Sequence, residues 1–131
     1  MSEKILVVDD SDDTREMMAK LLELEAYMVI TAEDGLIGFK KAETEQPDLI
    51  ITDINMPNLN GIEMIKMIRE QSLINRVPIL AITAYGSTVA AEAMAAGADR
   101  ATTKPIEFDS LIDGIKQLLA KSKYNGQANG I

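Results

Sequence analysis

Four short apolar runs, "ILVV" at 5–8, "YMVIT" at 27–31, "LIIT" at 49–52 and "ILAIT" at 79–83, are each followed by a stretch of helical periodicity. No other feature of the chain restricts its fold as much. Runs that are rich in β-branched residues and apolar throughout suit strands covered on both faces. Between them, residues 14–25 group Met17, Met18, Leu21 and Leu22 on one side, 35–45 is a weaker pattern interrupted by Gly38, and 61–71 carries Ile62, Met64, Ile65 and Ile68. After the fourth run, 87–96 is Ala-rich and stops at Gly97, and 109–121 sets Leu111, Ile112, Ile115, Leu118 and Leu119 on one face behind an Asp109 cap. "RATT" at 100–103 is the poorest strand and belongs at a sheet edge. Strict alternation of strand and helix means parallel strands joined by right-handed crossovers. The expected fold is therefore α/β, a doubly wound five-stranded parallel sheet with helices on both faces. At 131 residues the chain is one domain, expected over 1–121. The segment 122–131, "SKYNGQANGI", has little to bury and reads as a flexible tail or the start of a linker.

Charge and residue usage narrow the function. A net charge of −8 argues against direct nucleic-acid binding, which draws on clustered Lys and Arg. With no cysteine, neither disulfides nor thiol chemistry is available. With no histidine, the commonest general base and metal ligand is missing, so a site must use carboxylates, hydroxyls, amides and lysine. The apolar run at the N-terminus is too short for a signal peptide and nothing approaches a membrane span, so the chain is read as cytoplasmic, with no membrane partner.

In a parallel sheet all strands deliver their C-terminal ends to one edge, where ligands of open α/β folds bind. The first strand ends in Asp9 and Asp10, the third in Asp53, the fourth in Thr83 and the fifth in Lys104 followed by Pro105. Taken singly, each has a plain structural explanation: Asp is common in turns, Thr in strands, and Lys on surfaces. The neighbouring Ser11, Asp12 and Asp13 are explained as a helix cap and first turn, and Asn60 with Glu63 as the start of the helix after the third strand. An acid cluster at one sheet edge is different, because it repels itself unless a cation or proton neutralises it. Mg²⁺ prefers oxygen ligands, commonly one or two carboxylates, and accepts phosphate oxygens, whereas zinc and copper lack their usual ligands here. A metal-held carboxylate beside a lysine and a hydroxyl suits phosphoryl transfer, with Asp53 as nucleophile.

These residues resemble the receiver domain of two-component response regulators. "KILVVDDS", "PDLIITDINMPNLNG", "ILAITA" and "TKP" occur in that family's order and spacing, over about residues 4 to 121. The resemblance implies the strand order 2-1-3-4-5 and a stand-alone phosphoacceptor signalling domain, not an enzyme beyond its own phosphorylation and dephosphorylation. It implies that Asp53 takes a phosphoryl group from a sensor histidine kinase or phosphotransfer protein. Asp10 and Asp53 would bind Mg²⁺ with the backbone carbonyl of Asn55, and Asp9 would assist through water. Lys104, before a cis Pro105, would hold one phosphoryl oxygen, and Thr83 would move to bond another. The sequence departs from the family at Ala101, where an aromatic is usual. That puts the usual coupling to a downstream protein effector in question. Tyr85 is expected to fill the space left at Ala101 and, with Asn55, to flank the path of the hydrolytic water. The Ala-rich helix at 87–96 reads either as a docking surface or as packed core.

Three rivals remain. A small Mg²⁺-dependent phosphatase of the haloacid-dehalogenase type uses similar residues, but it usually carries a second Asp where this chain has Asn55. A phosphorylation-independent interaction module would keep the pocket without using it. A flavin carrier is weaker, because few aromatics are present to stack the ring.

Overall fold

The computed structural model describes the backbone of residues 2–129 and the side chains of residues 2–123. Strands and helices alternate as β1 (Lys4–Val8), α1 (Asp12–Leu24), β2 (Met28–Ala32), α2 (Gly35–Glu45), β3 (Leu49–Asp53), α3 (Gly61–Glu70), β4 (Ile79–Thr83), α4 (Ser87–Ala96), β5 (Arg100–Thr103) and α5 (Phe108–Asn129). All pairings are parallel and the order is β2-β1-β3-β4-β5.

The fold follows from the period-two pattern of the strands. Leu6, Val8, Ile50, Ile79 and Ala81 point to one face, where Met64, Ile65 and Ile68 of α3 and Ala93 of α4 cover them. The intervening residues Ile5, Val7, Leu49, Ile51, Leu80 and Ile82 point to the other, against Met18 and Leu22 of α1 and Ile112 and Ile115 of α5. Both faces being covered is what makes β3 and β4 buried at every position. "RATT" forms the edge strand β5, paired only with β4.

Several expectations are corrected. Met17 does not share the buried face of α1 with Met18; it is 51% exposed, because the rotation of the helix sets Met18 and Leu22 against the sheet and turns Met17, about 100° away, to solvent. Asp109 does not cap α5: the helix starts at Phe108, so Asp109 sits in its first turn, where a negative charge still favours the helix dipole. Nor does α5 stop near residue 121. Its backbone stays helical to Asn129, and Lys123 within it donates to Glu3 at 2.9 Å. Residues 130 and 131 of the expected tail lie outside the described residues, as do the side chains from 124 onward. The packed-core reading of 87–96 is not met either, since Ala93 is the one buried residue of α4. Among the described residues no helix is long and apolar enough to cross a membrane.

Candidate functional site

Asp53 is the last residue of β3, and its side chain emerges at the C-terminal edge of the sheet, 9% exposed. The chain must turn at once, and Gly61 makes that possible: its amide donates to the Ile54 carbonyl at 2.7 Å, and a Cβ there would stand 2.4 Å from the Asp53 carbonyl oxygen. Asn60 then caps α3, its side chain accepting the Glu63 amide at 2.9 Å. The Ile54 amide donates to Asp53 Oδ1 at 2.8 Å. One carboxylate oxygen is thus tied to the backbone.

The end of β1 supplies the other acids. Carboxylate oxygens of Asp9, Asp10 and Asp53 lie within 4.8 Å of one another, Asp9 and Asp53 buried and Asp10 exposed. Ser11 caps α1 through the Thr14 amide, and its own amide donates to Asp9 Oδ1 at 2.8 Å. Lys104, just past β5, brings Nζ to 3.7 Å from Asp53 Oδ2, and its amide donates to the Thr83 carbonyl at 2.8 Å. The Lys104–Pro105 peptide is cis. Thr83 ends β4 almost fully buried, its hydroxyl accepting the Tyr85 amide at 3.0 Å.

Electrostatics make this cluster high in energy when it is empty of cations. Burial raises the Asp53 carboxyl above its ordinary value, the Asp9 charge raises it further, and Lys104 opposes both. Burial likewise raises Asp9, opposed by the Ser11 amide and by the charge of Lys104. A divalent cation with oxygen preference relieves the repulsion that Lys104 leaves, and the donor set, all oxygen, fits Mg²⁺. Asn55, two residues past Asp53, is exposed in the same loop.

Of the residues expected at the site, Asp9, Asp10, Asp53, Thr83 and Lys104 therefore converge from four strand ends. Tyr85 does not behave as expected. Its ring is 67% exposed and is not a filler over Ala101, which packs half-buried against the core beneath it. On an edge strand the space beside a small side chain opens to solvent, so no closed void demands a replacement ring.

Three residues at the site were not anticipated. Arg15 donates through Nη1 to the Asp9 carbonyl at 2.8 Å and pairs through Nη2 with Asp12, holding the acidic turn. Thr52, fully buried, donates to the Asp53 carbonyl at 2.7 Å. Asp34 caps α2 and also accepts from Asn58 of the β3–α3 loop. The "EDGLI" stretch at 33–37 carried a readable cap signal, an Asp three residues before Ile37, but its second partner is distant in sequence.

Comparisons agree with this geometry. The family model for the response regulator receiver domain matches residues 5–116. The alkaline phosphatase synthesis transcriptional regulatory protein PhoP of Bacillus subtilis (strain 168) is 41% identical over 127 residues, covering 94% of this chain and 51% of its own length. Among solved structures, chemotaxis response regulator CheY4 of Vibrio cholerae superposes with a TM-score of 0.84 at 35% identity, covering 90% of this chain and 99% of its own. The receiver domain of sensor histidine kinase PA1611 from Pseudomonas aeruginosa PAO1, with a magnesium ion coordinated in its active site cleft, gives a TM-score of 0.85 at 27% identity and covers 92% of this chain and 99% of its own. The chain thus spans about half the length of PhoP. These matches support neither the small phosphatase nor the phosphorylation-independent module. The order of the strands, the acidic edge and the match over residues 5–116 agree, and the chain belongs to the response regulator receiver domain family, a signalling domain of two-component systems.

Proposed function

We propose that Asp53 is the phosphoacceptor of this receiver, taking a phosphoryl group from the phosphohistidine of a sensor kinase or phosphotransfer protein. The observation that carries the reading is the meeting of three carboxylates within 4.8 Å of one another, with the Lys104 ammonium 3.7 Å from Asp53 Oδ2. Asp10, Asp53 and the Asn55 carbonyl would hold Mg²⁺, with Asp9 assisting. Bound there, the ion supplies charge neutralisation of the phosphoryl oxygens.

The protein's own groups do the rest. Asp53 Oδ2, facing the Lys104 ammonium, is the oxygen left to attack, because Oδ1 accepts the Ile54 amide. That bond aims Oδ2 at the incoming phosphorus and keeps the carboxylate from rotating away. As the new O–P bond forms, the P–N bond to the donor imidazole breaks and its electron pair returns to that nitrogen. Lys104 holds a phosphoryl oxygen, stabilising charge where it gathers. Thr83 exchanges its bond to the Tyr85 amide for one to the phosphoryl group. The loop after β4 then shifts, which a downstream protein effector reads.

Intact-mass measurement with a small phosphodonor tests this. One phosphoryl group is expected with Mg²⁺, none with EDTA, and none in Asp53→Asn. Full labelling of the Asn variant would remove Asp53 from the role.

A further inference from the structure

The loop after Asp53 is tied at its far end to the start of α2, and the transfer chemistry above makes no use of that tie. Asp34 accepts the Ile37 amide through Oδ1 at 2.9 Å, capping α2. Through Oδ2 it accepts the Asn58 side-chain amide at 2.8 Å. Beside this bond the Gly35 amide donates to the Leu59 carbonyl at 3.0 Å. A Cβ at Gly35 would stand 2.1 Å from that oxygen, so glycine is what lets the two backbones touch. Asn58 itself has φ +67°, a left-handed conformation that Asn and Asp tolerate better than other side chains.

At its near end the same loop is fixed by the Ile54 amide, which reaches Asp53 Oδ1 at 2.8 Å and the Ile82 carbonyl at 3.1 Å. Asn55, Met56 and Pro57 are therefore a short bridge between two fixed points. The Asn55 carbonyl sits on that bridge.

We infer that Asp34 and Asn58 are positioning residues for the divalent cation: their bond fixes the bridge carrying the Asn55 carbonyl and so sets metal affinity. The inference rests on the reading of the Asp53 pocket as a Mg²⁺-dependent phosphoacceptor site. Without the Asp34–Asn58 bond the far end of the bridge is held by the Gly35–Leu59 contact alone, and the residues it loosens must be ordered again each time the cation binds. Ordering one backbone residue is worth about 5- to 30-fold in a binding constant.

The geometry also supplies a reversal. Asp34 is the acceptor and Asn58 the donor, so Asn58→Asp alone sets two carboxylates against each other. Asp34→Asn combined with Asn58→Asp restores a donor facing an acceptor while leaving an oxygen to cap α2.

The test is calorimetric Mg²⁺ titration of the full chain, with amide hydrogen exchange of residues 54–59 in EDTA and a thermal melt. Asn58→Gly keeps the left-handed backbone and removes the side-chain bond. It is expected to weaken Mg²⁺ binding by about 5- to 30-fold and to speed exchange over 54–59 without metal. Asn58→Asp should speed that exchange as well, and the reversed pair should recover both affinity and protection. If Asn58→Gly binds Mg²⁺ as the parent does, or the reversed pair recovers nothing while melting normally, the inference is overturned. A parent chain that binds no Mg²⁺ overturns the reading of the pocket along with it.

Discussion

Asp53 and Thr83 end neighbouring strands at the same edge, yet the chain behaves differently after each. Past Asp53, the Ile54 and Gly61 amides close a tight turn, Asn60 caps α3, and Gly61, Met64, Ile65 and Ile68 are buried. Past Thr83, Tyr85 lies in solvent, Gly86 precedes α4 without a side-chain cap, and Ala93 alone in that helix is buried. The far end of α4 is the part held firmly. Arg69 of α3 donates to the Gly97 carbonyl at 2.9 Å, to the carbonyls of Asn75 and Val77, and to Asp99 at 2.9 Å. One wall of the pocket is tied by hydrogen bonds at both ends of its loop, and the other is anchored at its far end. Phosphoryl transfer rewards groups arranged beforehand, whereas an element that reports a change must come from the less stable part of a structure.

That contrast can be broken at three points. Lys104 stands between the walls, 3.7 Å from Asp53. Lys104→Ala is expected to slow labelling by a small phosphodonor about 100-fold while keeping Mg²⁺ affinity, because on the proposed reading the ammonium meets the phosphoryl group and not the metal. Labelling at the parent's rate would mean that the Asp53 wall suffices by itself. Arg69→Ala should cost about 1–3 kcal/mol in urea unfolding, since it strands the part-buried Gly97 and Val77 carbonyls that the guanidinium now satisfies. Amide exchange across 87–97 should quicken in the same variant; unchanged exchange there would show that α4 is held by something other than Arg69. The smallest effect belongs to Tyr85→Ala, expected to change stability by no more than about 0.5 kcal/mol, as exposed side chains usually do. A larger loss in thermal or urea melts would make the β4–α4 wall tighter than its exposure implies.

Strands were the most legible part of the sequence. The apolar run at 79–83 is β4 and "RATT" at 100–103 is β5, closed off by Lys104–Pro105. The convergence of Asp9, Asp10, Asp53, Thr83 and Lys104 was equally readable, because parallel strands leave no choice of edge. What escaped was set by geometry finer than a pattern. Met17 and Met18 are both apolar, and which one faces the sheet depends on the rotation of α1 about its axis. Tyr85 sits in a loop, where apolarity alone does not decide which way a ring points. The Asp34–Asn58 bond joins residues with no local signature of each other. The helix α5 outruns its apolar periodicity because a segment with little to bury can still continue a helix, here with Lys123 tied back to Glu3.

The scattering of the pocket over the chain also bears on when it can exist at all. Its acids come from β1 and β3, and its lysine from the end of β5, which pairs only with β4 at the margin of the sheet. During synthesis the acids are made long before Lys104 leaves the ribosome, and until the last strand docks Asp53 has no ammonium facing it. On the proposed reading a half-made chain is a poor phosphoacceptor, because it lacks the lysine that would hold a phosphoryl oxygen. The complete pocket thus arrives only with the completed sheet, and a mature fold is built into the site itself.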